Sequence, residues 1–258
     1  MTDLCILTGG GGGIGGAVAV RLAELGVRMI LVGRRASNEA TLAAMGARAA
    51  CAELFEMDLE DPADGFARLG ERISQIGAAR PGMVLAASRL DDLTASGPLE
   101  RLRDHGRVYR TNVVGNLAVL EAALPAMLAA RFGRIVLFAG GGAAYAFPLF
   151  PAYGLSKVST VRMVENLAET HPPSTGLSFV CLAPGAVDTP MLAQVLAAGG
   201  KVRTRTSAAE AVGFIEAYLA SESTALSGRY VHVRDAWRPY LSGGKAPEPG
   251  RFLLRRTE

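Results

Sequence analysis

Leu4-Cys5-Ile6-Leu7-Thr8-Gly9-Gly10-Gly11-Gly12-Gly13-Ile14-Gly15 decides the fold. Leu4-Thr8 is a short apolar run bounded by glycine, which predicts a buried strand, and the stretch Gly15-Leu25 that follows carries helical periodicity. Glycine lets the backbone turn tightly and come close to a bound group, and a helix N-terminus offers unpaired N–H groups and a positive dipole end. Strand, glycine turn and helix in that order suit the pyrophosphate of a dinucleotide. Thr8, Gly9, Gly13, Ile14 and Gly15 are therefore candidate cofactor residues, with a merely flexible turn as the alternative reading of five successive glycines.

Outward from that opening, apolar runs alternate with amphipathic stretches. Met29-Val32, Ala52-Met57, Met83-Ala87, Arg134-Phe138, Leu177-Ala183 and Arg229-Val233 read as further strands. Ser37-Met45, Asp64-Ile76, Arg101-Leu128, Ala152-Glu169 and Ser207-Ala220 read as helices, the last opened by the capping box Ser207-Ala-Ala-Glu210. This alternation predicts βαβ units, and near-continuous apolar strands predict a parallel sheet covered on both faces. A single α/β domain over residues 1–240 follows, with a substrate lid at 188–206 and a tail at 241–258. The lid and tail, rich in glycine, read equally as mobile segments.

A chain of 258 residues, half of them hydrophobic and with a net charge of +3, is globular and lacks the concentrated basic stripe of a nucleic-acid binder. The cations are 24 Arg and 3 Lys, so Lys157 stands out as the only Lys before Lys201. Cys5, Cys51 and Cys181 form no CxxC pair, which argues against a metal site and for a reducing compartment. No uninterrupted apolar run has the roughly 18 residues needed to cross a bilayer, and no basic leader precedes Leu4. These features predict a cytoplasmic protein with a small-molecule substrate and neither nucleic-acid nor membrane partners.

Two further groups carry chemistry. Tyr153 and Lys157 lie four residues apart on one helical face, where an ammonium beside a phenol lowers the phenol's pKa towards that of a working acid–base catalyst. At the end of the second strand, Gly33-Arg34-Arg35 offers two guanidiniums and no carboxylate. Arginine accommodates a 2′-phosphate where an acidic residue would hold a 2′-hydroxyl, so NADP(H) is favoured over NAD(H).

With Gly9, Gly13, Ile14 and Gly15, then Asp58, Asn112 in Tyr109-Arg-Thr-Asn-Val, Tyr153 and Lys157, and Pro184-Gly-Ala-Val-Asp-Thr189, the chain resembles the classical short-chain dehydrogenase/reductase family over roughly residues 3 to 235. The resemblance implies a seven-stranded parallel sheet in the order 3-2-1-4-5-6-7 and a homodimer or homotetramer built on the two long helices. It implies that Asp58 and Leu59 contact the adenine end, that Ala86 and Ala87 flank the cofactor, and that Pro184, Gly185, Val187 and Thr189 lie along the nicotinamide. Asn112 would sit at a helix distortion and hold a water on a proton path to Lys157. Tyr153 would move the substrate's proton, and Lys157 would also bond the nicotinamide ribose. Asp58 reads equally well as a turn residue from its local sequence.

The chain departs from that family in three places. The oxygen-binding serine's position falls on Gly140, and no Ser or Thr occurs between Gly133 and Tyr153. Backbone N–H groups of Gly140 and Gly141, a water, the substrate's own hydroxyl or Tyr145 are the candidate replacements. After the fourth strand, Leu85-Ala86-Ala87-Ser88 replaces Asn-Asn-Ala-Gly, with the loss of an amide, and Arg89 follows near the expected substrate entrance. The ending Val231-His232-Val233-Arg234-Asp235-Ala236-Trp237 also differs from the family's, with His232 read as a strand residue and Trp237 as a packing anchor. The expected activity is hydride transfer between NADP(H) and a hydroxyl or carbonyl of a small polar molecule, with an anionic or sugar-like one among the candidates. A non-redox NADP-binding regulatory protein, or an epimerase or lyase with retained cofactor, is the alternative.

Overall fold

The computed structural model describes residues 1–92, 98–243 and 245–255, so residues 244 and 256–258 of the expected tail lie outside the described residues. Among the described residues nine strands form: β1 (Leu4–Thr8), β2 (Arg28–Gly33), β3 (Ala52–Glu56), β4 (Pro81–Leu85), β5 (Gly133–Phe138), β6 (Leu177–Ala183), β7 (Ala186–Val187), β8 (Arg205–Thr206) and β9 (Arg229–His232). Seven of them make one parallel sheet in the order β3-β2-β1-β4-β5-β6-β9, so the expected seventh strand is β9. The remaining pair, β7 and β8, forms a separate parallel ribbon.

Successive residues on a strand face opposite ways, and the apolar strands use both faces. Ile6, Ile30, Met83, Ile135 and Phe179 pack beneath α3 (Ala63–Ile76), α4 (His105–Ala130) and α5 (Pro151–Thr170). Leu7, Leu31, Val84, Val136 and Val180 pack on the other side, with Val18 and Leu22 of α1 (Gly13–Glu24) and Phe214 and Tyr218 of α7 (Ala208–Ala220). Each such side chain stabilises the fold by about 1.5–3 kcal/mol when fully buried. The helix α2 (Arg35–Met45) follows β2, and α6 (Pro190–Ala197) follows β7. Trp237 is buried edge-on against Phe214, with ring centroids 5.0 Å apart, as a packing anchor. The capping box forms as read: the Ser207 hydroxyl accepts from Glu210 N–H at 3.2 Å, and the Glu210 carboxylate accepts from Ser207 N–H at 2.7 Å.

Three differences from the sequence reading bear on the site. The stretch read as one helix from Arg101 is broken: a short turn, Pro98–Arg101, precedes α4, and residues Arg110–Gly115 of α4 are wound as a π-helix. Asn112 lies in that distorted segment, as the family resemblance implied. Helix α4 is long and apolar enough to cross a membrane by length and composition, but here Val119, Leu120, Ala123 and Met127 pack into the sheet's core. The segments read as mobile carry tertiary bonds. Residues 188–206 form α6 and β8, and the tail returns to the sheet, where Tyr230 N–H donates to Phe252 O at 2.8 Å and Arg255 pairs with Glu165.

Candidate active site

The carboxyl ends of β1, β4, β5 and β6 open onto a cavity of about 620 Å³, where ligands of open parallel sheets bind. The glycine run forms one wall. Gly9 turns with φ 71°, and a Cβ there would stand 2.6 Å from Ala86 C, so only glycine lets this loop touch the end of β4. A Cβ on Gly13 would stand 3.2 Å from Thr189 Cγ2, which places Thr189 across the glycine loop. Thr189 also caps α6 by accepting from Leu192 N–H at 3.2 Å. Ile14, Gly15, Ala86, Pro184, Gly185 and Val187 complete this part of the wall.

Thr8 and Ala87 stand behind the wall and hold it. The Thr8 hydroxyl donates to Asn116 Oδ1 at 2.7 Å and accepts from Ala87 N–H at 3.1 Å, while Asn116 Nδ2 donates to Ala87 O at 3.0 Å. The amide missing from the segment after β4 is thus supplied by Asn116, one helical turn beyond Asn112. Sequence reasoning missed it because a single mid-helix asparagine carries no motif.

At the other end of the cavity, α5 brings Tyr153 and Lys157 together against β5. Lys157 Nζ donates to Phe138 O at 3.2 Å and stands 5.1 Å from the Tyr153 ring centroid. Burial lowers the Lys157 pKa to about 8, and burial pushes the Tyr153 phenol above its usual value. The expected lowering of the phenol by Lys157 is not what this geometry gives: the ammonium faces the ring and a carbonyl, and desolvation dominates. The phenol lies against Gly140, where an added Cβ would stand 2.3 Å from Tyr153 Oη. A side chain at position 140 would need the space that the tyrosine hydroxyl occupies. Gly141 lines the cavity beside Phe147.

Around Tyr153 the walls are apolar, formed by Leu90, Phe147, Met191 and Val195, and Tyr230 and His232 reach in from β9. Burial raises the Tyr230 pKa to about 12. Tyr145 lines the cavity with the Arg203 guanidinium 4.1 Å above its ring, and Lys201 stands at the same rim.

Several sequence candidates lie elsewhere. Arg89 does not reach the cavity: its guanidinium pairs with Glu60, which also meets Arg107 at 3.4 Å, because a carboxylate on the β3–α3 loop lies closer than the substrate space. Asn112 spends its amide on Arg89 and Ser156, accepting from Arg89 N–H at 2.8 Å and donating to Ser156 Oγ at 2.9 Å. Asp58 accepts from Glu60 N–H at 2.9 Å, the turn role, and Leu59 packs against Gly115 of the π-helical segment. Arg34 and Arg35 are exposed at the end of β2, with Arg35 3.8 Å from Glu56. None of these six residues lines the cavity. Among the described residues, no group of three His, Cys, Asp or Glu could hold a metal.

Residues 3–199 match the family model for short chain dehydrogenases, and the chain belongs to that family. It is 28% identical over 192 residues to an "uncharacterized oxidoreductase" of Mycobacterium tuberculosis, covering 72% of this chain and 55% of the relative, so it spans about half the length of that relative. A short chain dehydrogenase of Escherichia coli CFT073, complexed with NADPH, superposes with a TM-score of 0.77 at 21% identity, covering 90% of this chain and 97% of that one. An NAD+-bound xylitol dehydrogenase superposes with a TM-score of 0.73 at 22% identity, covering 88% and 95%.

Proposed function

We propose that the protein is an NADP(H)-dependent oxidoreductase that moves a hydride between the nicotinamide and a carbon bearing a hydroxyl or carbonyl. The observation that carries this reading is one cavity holding the glycine cradle at one end and Tyr153 with Lys157 at the other. Gly9, Gly13, Ile14 and Gly15 would hold the pyrophosphate, and Pro184, Gly185, Val187 and Thr189 the nicotinamide end. The bound nicotinamide supplies or accepts the hydride. Tyr153 gives a proton to the substrate oxygen in reduction and removes one in oxidation.

Arg34 and Arg35 at the end of β2, with no carboxylate between them, support NADP(H) over NAD(H). The E. coli neighbour carries NADPH and the xylitol dehydrogenase carries NAD+, so the preference for NADP(H) rests on the two arginines. The apolar wall around Tyr153 and the cationic rim of Lys201 and Arg203 suit a carbonyl compound with an apolar body and an anionic end. Val114 and Leu128 on α4 and Leu155 and Val158 on α5 are exposed apolar side chains, which supports a homo-oligomer built on these helices.

NADPH oxidation against a panel of neutral and anionic carbonyl compounds tests the reading. Wild type should turn over at least one, and Tyr153→Phe should lose roughly 10²–10⁴-fold in kcat while keeping NADPH affinity. Full turnover by Tyr153→Phe would overturn the assignment of the proton donor. Because Gly140 brings no hydroxyl beside Tyr153, an NADP-binding protein without turnover is the second reading; NADPH binding with no turnover by wild type would favour it.

A further inference from the structure

We infer that Asp91, acting with Asn112 and Ser156, is a positioning residue that fixes Tyr153 in the site, a role that rests on the oxidoreductase reading above. Asp91 lies in the loop after β4 and is only 4% exposed. Its two carboxylate oxygens each accept one bond from the start of α5: Oδ1 from Ala152 N–H and Oδ2 from Tyr153 N–H, both at 2.8 Å. The helix begins with Pro151, which has no N–H, so one carboxylate takes the first two donors that α5 can offer. The bonds are charge-assisted and placed where the helix dipole favours an anion, about twice as strong as neutral ones.

The other side of the same residue is also held. Tyr153 O accepts from the Ser156 hydroxyl at 2.7 Å, and Ser156 Oγ accepts in turn from Asn112 Nδ2 at 2.9 Å. Asn112 closes the circuit on the loop that carries Asp91, donating to Arg89 O at 3.1 Å and accepting from Arg89 N–H at 2.8 Å. Both peptide groups of Tyr153 are thereby bonded by buried side chains that connect back to one another. Glycine at 140 offers no hydroxyl to steady the phenol from the front, so backbone anchoring from behind supplies the alignment. Misplacing a reacting group by about 1 Å costs on the order of 100-fold in rate.

The test compares Asp91→Asn and Asp91→Ala with wild type in the full chain. Asparagine keeps the shape but leaves one of the two N–H groups facing an NH₂, so it tests the clamp even if alanine fails to fold. Three quantities are read: NADPH affinity, kcat with a carbonyl substrate, and amide hydrogen exchange of the peptide spanning residues 150–158. The expected result is a loss of about 10–100-fold in kcat, NADPH affinity within about twofold, and exchange at least tenfold faster in that peptide. A kcat within twofold of wild type, or a loss of NADPH affinity as large as the loss of kcat, would overturn the positioning role. If wild type turns over no carbonyl, the oxidoreductase reading fails and the positioning role falls with it; faster exchange in that peptide would then show only that Asp91 caps α5.

Discussion

Two glycine runs border the same cavity, Gly9–Gly13 after β1 and Gly140–Gly142 after β5, and they are glycine for different reasons. In the first, the backbone itself is the functional surface: Gly9 turns with φ 71° and touches the end of β4, and the loop lines the cavity where a pyrophosphate would lie. In the second, what matters is the empty space beside Gly140, which the Tyr153 hydroxyl fills. Gly9 and Gly11 can be replaced by nothing larger because backbone atoms fill the space. Gly140 is constrained instead by one side chain from α5.

That contrast can be broken at three points. Gly9→Ala should be the most damaging, because it adds a Cβ 2.6 Å from Ala86 C at a left-handed φ. The combined strain and overpacking cost is roughly 2–5 kcal/mol, read as a lower Tm together with lost NADPH affinity. If Gly9→Ala binds NADPH as wild type does, the cradle is misassigned.

Gly140→Ser places a hydroxyl where the family resemblance implies one and should fail to help. Its Cβ would meet Tyr153 Oη, so a cost of about 1–3 kcal/mol and a fall in kcat are expected, with NADPH affinity retained. A gain in kcat would show that the phenol moves aside easily and that the space was never committed.

The smallest effect concerns Lys157, whose folded pKa lies near 8 against an ordinary 10.5. Because the folded value is depressed for a cation, the folded state binds fewer protons than the unfolded state between these values. Stability should therefore rise with pH from about 8 to 10.5, by at most about 1.4 kcal/mol per unit. Lys157→Met should flatten that rise in denaturation curves collected across the window; an unchanged slope would assign it to another group.

Much of this architecture was legible because its signals are local. The strands β1 and β6 and the capping box of α7 appear as read, since apolar runs and a Ser-x-x-Glu spacing encode them directly. Tyr153, Lys157 and the glycines were legible as motifs, and they do share one cavity. The rest depends on partners far apart in sequence. Asp91 carries no motif, and its place depends on the start of α5, where Ala152 lies 61 residues on; Asn116 carries none either, and its place depends on Thr8. Arg89 was misread because Glu60, from the loop before α3, claims its guanidinium. The strands β7 and β8, two residues each, are too short for any periodicity to register.

The most direct measurement is a structure of the protein with NADP(H) and a carbonyl compound or inhibitor bound. The account predicts the dinucleotide stretched from the Gly9–Gly13 loop to Pro184–Thr189, with Tyr153 Oη within hydrogen-bond reach of the carbonyl oxygen, roughly 2.6–3.2 Å. A nicotinamide bound elsewhere, or a phenol that stays turned against Gly140 and out of reach of that oxygen, would contradict it.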